Sequence, residues 1–362
     1  MRTALVNGRV LVGDKLVSGL AVLISSGRIE ALVAPSDARC RAAAAVDLAG
    51  QMLLPGFIDV QVNGGGGVLF NDEPSAATIR TIGEAHRRFG TTGFLPTLIS
   101  DDLGTIGRAI AAAQSSLDAG IPGVLGIHIE GPFLNWARRG VHDPKHLRLL
   151  DTSVVSLLCR LRAGKTVLTL APEMTTPDMI AELTAGGILV SAGHSDATFA
   201  ETTESIARGL RGFTHLFNAM APLAPRAPGI IGAALYDDAT WCGIIVDGHH
   251  VDPVMLKLAL RCKRHDKFML VTDAMPPVGS PEPTFVLQGR TIHVKDGVCR
   301  DENGTLAGTG LDMATAVRNA VSLLGLEIAE AARMASEYPA AFLGLEKELG
   351  RIVLTAFVAA TT

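Results

Sequence analysis

From Met52 onward one texture repeats eight times: a Val-, Ile- and Leu-rich run of five to eight residues, ending in polar side chains and followed by a stretch of helical period. The runs end near Asp59–Asn63, Pro96–Ser100, His128–Glu130, Ala171–Glu173, Gly193–Ser195, His215–Asn218, Asp247–His250 and Asp273. Uninterrupted apolar runs are what parallel strands covered on both faces require. The intervening segments show helical spacing, as in Ile106/Ile110 before Gly120 and Phe199/Ile206 before Gly209. Eight strand–helix units predict an α/β fold, a (β/α)8 TIM-type barrel. A doubly wound open sheet is the alternative, but no Gly-rich dinucleotide turn follows the first strand. Gly64–Gly67 lacks the Lys-Ser/Thr of a phosphate loop and reads as a tight bend.

Residues 1–52 differ. Short apolar runs alternate there with Gly8, Gly13, Gly19 and Gly27, a spacing suited to small antiparallel strands. The tail returns to strand-like pieces at Arg351–Val358. The expected organisation is a small β-sandwich domain from 1–52 plus 341–362, and a catalytic barrel over 53–340. Of 362 residues, 48% are apolar and 19% charged, which fits a globular chain. Lys plus Arg number 32 against 36 acidic residues, so no basic excess points to nucleic acid. No apolar run is long enough to span a membrane, and Asn7 and Arg9 interrupt the N-terminal stretch too early for a signal peptide. Cys40, Cys159, Cys242, Cys262 and Cys299 are scattered and odd in number, the pattern of reduced core residues in a cytoplasmic protein.

In a barrel the strand ends share one rim, where the chemistry of such folds sits. That rim would gather Asp59, Gln61, Asn63, Glu130, His194, His215, Asn218, His250 and Asp273. Two imidazoles and a carboxylate, Glu130, His194 and His215, form a ligand set for zinc or ferrous ion that leaves room for water. A buried hydrogen-bonded network without metal is the other reading. Asp273 is the candidate general base, or else a helix N-cap. His128 points the same way as Glu130 and is either a partner of the site or simply packed. His142 falls on a loop over the rim. Arg226, between Pro225 and Pro228, is a cation on a stiffened loop suited to an anion. His86, His146, His265 and His293 read as surface or helix residues.

Six motifs in order give the chain a family resemblance: Leu54-Pro55-Gly56-Phe57-Ile58-Asp59, His128-Ile129-Glu130-Gly131-Pro132-Phe133, Ser191-Ala192-Gly193-His194-Ser195, His215-Leu216-Phe217-Asn218-Ala219-Met220, Asp247-Gly248-His249-His250-Val251 and Val271-Thr272-Asp273-Ala274. It resembles the N-acetylglucosamine-6-phosphate deacetylases of the amidohydrolase superfamily. The resemblance implies that Glu130, His194 and His215 hold a divalent metal, zinc first, with iron, manganese or cobalt as alternatives. It implies that Asp273 is the acid/base and that His142 polarises the acetamide carbonyl. Gln61, Asn63, Val141, Asn218, Ala219, His250, Leu306, Ala307 and Gly308 then line the substrate. Arg226 would bind phosphate across the interface of a homodimer. Where many relatives carry His-x-His, this chain has Gln61-Val62-Asn63; amides are poor ligands beside imidazole, so one metal per subunit is expected. The fourth strand ends in Leu170-Ala171-Pro172-Glu173 without the lysine of two-metal relatives. The substrate implied is N-acetylglucosamine 6-phosphate, with the galactosamine epimer or another N-acyl substrate as alternatives. The family continues past Ile352 with further strands, so an incomplete β domain with an exposed edge is expected.

Overall fold

The computed structural model describes residues 2–352. Eight parallel strands stand in sequential order: β1 (Phe57–Val62), β2 (Thr91–Ile99), β3 (Gly126–Glu130), β4 (Lys165–Leu170), β5 (Leu189–Ala192), β6 (Gly212–Phe213), β7 (Trp241–Ile244) and β8 (Phe268–Leu270). The sheet closes on itself. Val62 bridges Ala274 in parallel, and the Asp273 amide donates to the Gln61 carbonyl at 3.1 Å. All six residues of β1 are buried, as a strand covered on both faces demands. A helix follows each strand, from Ala76–Arg87 after β1 to Met313–Leu324 after β8. Several start where a side chain caps the first turn, as Asp102 does for Thr105 and Asp312 for Thr315. The architecture is therefore the (β/α)8 barrel that the eight runs predict.

Three features went unforeseen. Between β8 and its helix lies a four-stranded antiparallel sheet, β9 (Thr284–Leu287), β10 (Arg290–Lys295), β11 (Val298–Arg300) and β12 (Leu306–Thr309). Its Leu287, Ile292, Cys299 and Ala307 pack with Leu69, Ile99 and Met275, which fastens it to the first two and last strand ends. The helix Glu337–Leu343 packs on the barrel: the Ile58 amide donates to Ala335, and Phe342 abuts Gly212 and Trp241 at the N-terminal ends of β6 and β7. The expected boundary at 341 therefore cuts through a helix whose Phe342 and Leu343 belong to the barrel core. Finally, His86 is no surface residue. It is wholly buried in its helix, where Nε2 meets the Gly64 carbonyl at 2.9 Å.

The N-terminal segment forms a four-stranded sheet (Arg28–Val33, Ala21–Ser25, Arg2–Val6, Ala44–Asp47) and a three-stranded one (Lys15–Val17, Arg9–Val12, Met52–Leu53). Ile352 joins Val10, Val22, Ile24 and Ile29 in one cluster there. The expected tail strand beyond it, Val353–Val358, lies outside the described residues. Cys262 is exposed and Cys159 half-buried, so only three of the five cysteines are core residues.

Candidate metal and acid/base site

The C-terminal rim is built on strained backbone. His194 and His215 follow β5 and β6 at φ 49° and 31°, and Asp273 follows β8 at φ 51°. A non-glycine residue in the left-handed region is held there only by its surroundings, and such residues cluster at functional sites. Each turn swings a side chain off the end of its strand and inward to Glu130, the last residue of β3. Glu130 Oε1 lies 2.9 Å from His215 Nε2 and 3.3 Å from His194 Nε2, and the two nitrogens are 3.0 Å apart. All three residues are buried.

The tautomers decide what these contacts mean. His194 Nδ1 donates to the Arg138 carbonyl at 2.9 Å, so its Nε2 presents a lone pair. With His194 Nε2 and the Glu130 carboxylate both acceptors, the space among the three atoms takes either a proton on His215 Nε2 or a cation. The edges of 2.9–3.3 Å match ligand atoms about 2.0–2.2 Å from one ion. The donor set thus fits a divalent metal held by one carboxylate and two imidazoles, and these three residues are the metal-ligand group the described chain contains. Against the upward push of burial, the two imidazoles hold Glu130 well below the usual carboxylate range.

Asp273 stands beside this triangle. Its Oδ1 accepts from Asn63 Nδ2 at 2.6 Å and from Gln61 Nε2 at 3.2 Å, and Gln61 Nε2 also reaches both Glu130 oxygens at 3.2 Å. Gln61 and Asn63, expected as substrate contacts, thus hold Asp273 and Glu130 in place. Burial, with the Glu130 charge second, pushes Asp273 above the usual carboxylate range. The Gly308 backbone lies so close that a Cβ there would sit 2.8 Å from the Asp273 carbonyl oxygen. Asp59, deeper in β1, accepts from the Thr272 hydroxyl and from the Thr272 and Gln61 amides; burial raises it to about 7.

His142 reaches the same cluster from its loop, its ring 4.5 Å from that of His194. The Ser100 amide and hydroxyl meet its Nδ1 at 3.3 and 2.7 Å. An amide can only donate, so Nδ1 accepts and Nε2 carries the proton. Burial lowers the ring to about 3, which keeps it a neutral donor. His128 instead bonds Thr97 and Thr169 through its two nitrogens and is packed. Asn218 Nδ2 donates to the His215 carbonyl, and Ala219, at φ 51°, accepts from the Ser195 amide. His250 pairs with Asp247 at 2.7 Å. Val141 packs against the inserted sheet, whose last strand carries Leu306, Ala307 and Gly308. Arg226 is exposed, with no hydrogen-bond or ion-pair partner among the described residues.

Sequence reasoning missed Glu173. Its carboxylate accepts from Asn135 Nδ2 (2.9 Å), the Asp196 amide (2.6 Å) and the Ser195 hydroxyl (2.8 Å), which fixes the turn that carries His194. Its place at the end of the β4 run was the available signal.

Comparison with known proteins agrees with this geometry. The Amidohydrolase family profile matches residues 52–353. An N-acetylgalactosamine-6-phosphate deacetylase of Shewanella sp. is 43% identical over 337 residues, covering 92% of this chain and 85% of that one. An N-acetylglucosamine-6-phosphate deacetylase of Haemophilus influenzae is 35% identical over 355 residues, covering 97% and 92%. The crystal structure of N-acetylglucosamine-6-phosphate deacetylase from Pasteurella multocida superposes with a TM-score of 0.95 at 36% identity, covering 99% of this chain and 94% of that one. No helix among the described residues is long and apolar enough to cross a membrane. The chain belongs to the metal-dependent amidohydrolase family, among its deacetylases of N-acetylated amino-sugar 6-phosphates.

Proposed function

We propose that the chain hydrolyses the acetamide of N-acetylglucosamine 6-phosphate, releasing acetate and glucosamine 6-phosphate. The observation that carries this reading is the convergence of Glu130, His194 and His215 beside Asp273, with the Gln61 amide bonded to both carboxylates. One divalent ion, zinc by its donor set, would supply the Lewis acidity that polarises the carbonyl and acidifies water. His142 Nε2–H donates to the carbonyl oxygen as negative charge grows on it. Asp273 takes a proton from the attacking water and returns it to the departing amine, so the residue ends as it began. Asn63 and Gln61 hold the carboxylate in place for both transfers.

The sugar and phosphate would rest on Asn218, Ala219, His250, Val141 and the Leu306–Gly308 main chain. Arg226 would complete the phosphate site of a second subunit in a homodimer; its exposure and want of a partner among the described residues support this. A substrate with a fixed phosphate charge does not cross membranes unaided, which supports a cytoplasmic reaction. Relatives named for either epimer are similar to the chain, so the second reading is the galactosamine epimer, which differs at one hydroxyl.

Acetate release from both epimers and from unphosphorylated N-acetylglucosamine, before and after chelation, tests the proposal. Metal-dependent release with preference for the glucosamine phosphate supports it. Preference for the galactosamine phosphate transfers the site to the epimer, and no release from any sugar removes the proposal.

A further inference from the structure

The inserted sheet sends one side chain back to the rim. β9 and β10 are joined by two residues, Gln288 and Gly289, with Leu287 paired to Arg290. Both turn residues have positive φ, 49° and 81°, the two-residue hairpin turn in which Asn-Gly is the favoured pair. Glutamine is a poor choice for that first position, so the turn alone does not account for it. Its side chain does: Nε2 donates to the Ser100 carbonyl and Oε1 accepts from the Asp143 amide, each at 2.7 Å. Ser100 is the residue whose amide and hydroxyl meet His142 Nδ1, and Asp143 directly follows His142. One amide therefore ties the two backbone segments that locate the imidazole. Leu287, next to it, sits in the cluster with Ile99 and Val141, so the hairpin is anchored on the same two segments.

We infer that Gln288 is a positioning residue for His142, clamping the loop over the rim so that the imidazole stays against its Ser100 partner. The inference rests on the reading of His142 as the donor to the substrate carbonyl, but the clamp can be observed without turnover. Gln288→Asn is the informative variant. It supplies the preferred Asn-Gly turn, so the hairpin keeps or gains stability, while the side chain is one methylene too short to bridge. Two readouts follow on the metal-loaded enzyme. Hydrogen exchange at the Asp143 amide should rise at least about tenfold, because its acceptor is gone. With N-acetylglucosamine 6-phosphate, kcat should fall about 10- to 100-fold with KM nearly unchanged, since a loosened donor weakens the transition state more than binding. In a His142→Asn background the same change should cost less than about twofold, because the residue it positions is already lost.

Unchanged exchange at Asp143, or an undiminished kcat, overturns the inference. So does a loss that adds in full to that of His142→Asn, which would mark a general structural role. Faster exchange in a protein that releases no acetate from any sugar would keep the clamp and sink the activity assignment instead.

Discussion

Two buried histidines, one inside β3 and one just past the end of β6, show what separates packing from chemistry in this barrel. His128 lies inside it, with Thr97 Oγ1 at 3.3 Å from Nδ1 and Thr169 Oγ1 at 2.7 Å from Nε2. Its hydrogen-bonding capacity is used up by hydroxyls, and burial lowers it to about 4, so it is a neutral core residue. His215, at the rim, turns Nε2 toward a carboxylate and another imidazole nitrogen, while its Nδ1 has no partner among the described residues. Both rings are buried and both face polar neighbours. The difference is that the neighbours of His128 can share protons among themselves, whereas those of His215, a carboxylate and an imidazole lone pair, only accept, as ligands of a cation would. Backbone follows the same division: His215 is forced into left-handed φ and His128 sits in a regular strand.

The largest effect expected is from His215→Ala. It should abolish stoichiometric metal binding and, with it, several kcal/mol of transition-state stabilisation, roughly a thousandfold or more in kcat, as metal analysis beside an acetate assay would record. His128→Gln is its counterpart. Metal content should be retained and kcat stay within a few-fold, while denaturant titration reads a loss of about 1–3 kcal/mol from orphaned hydroxyl partners. If both changes expel metal alike, the division between the two rings is false. Asp273→Asn should lower kcat by roughly 10²–10⁴ and leave metal in place, which separates proton transfer from ligation. Glu173→Gln offers an amide where the Ser195 and Asp196 donors expect a carboxylate. A drop of about 10- to 100-fold in metal affinity by competition with a chelator is expected, with residual activity once the metal is saturating.

Much of this was legible beforehand, for identifiable reasons. Glu130, His194, His215 and Asp273 could be read because each ends an apolar run, and a barrel gathers such ends on one rim. What was not legible depends on contacts distant in sequence. Gln288 touches Ser100 and Asp143 at separations of 188 and 145 residues, and nothing local marks a glutamine in a hairpin as their clamp. His86 lies in a helix, one of the two readings given for it, but its burial was not legible because its acceptor, the Gly64 carbonyl, is 22 residues away. The four strands after β8 resemble any loop-rich insertion until they pack on Leu69, Ile99 and Met275. Gln61 and Asn63 were found by position, yet their bonds to Asp273 and Glu130 needed coordinates.

The central claim is that the rim triangle is a metal site and not a hydrogen-bonded network. Anomalous diffraction from crystals of the zinc-loaded protein tests it most directly. One strong peak per chain is expected, about 2.0–2.2 Å from Glu130 Oε1, His194 Nε2 and His215 Nε2. No peak there at saturating zinc, or an equal second peak beside Gln61 and Asn63, would contradict it.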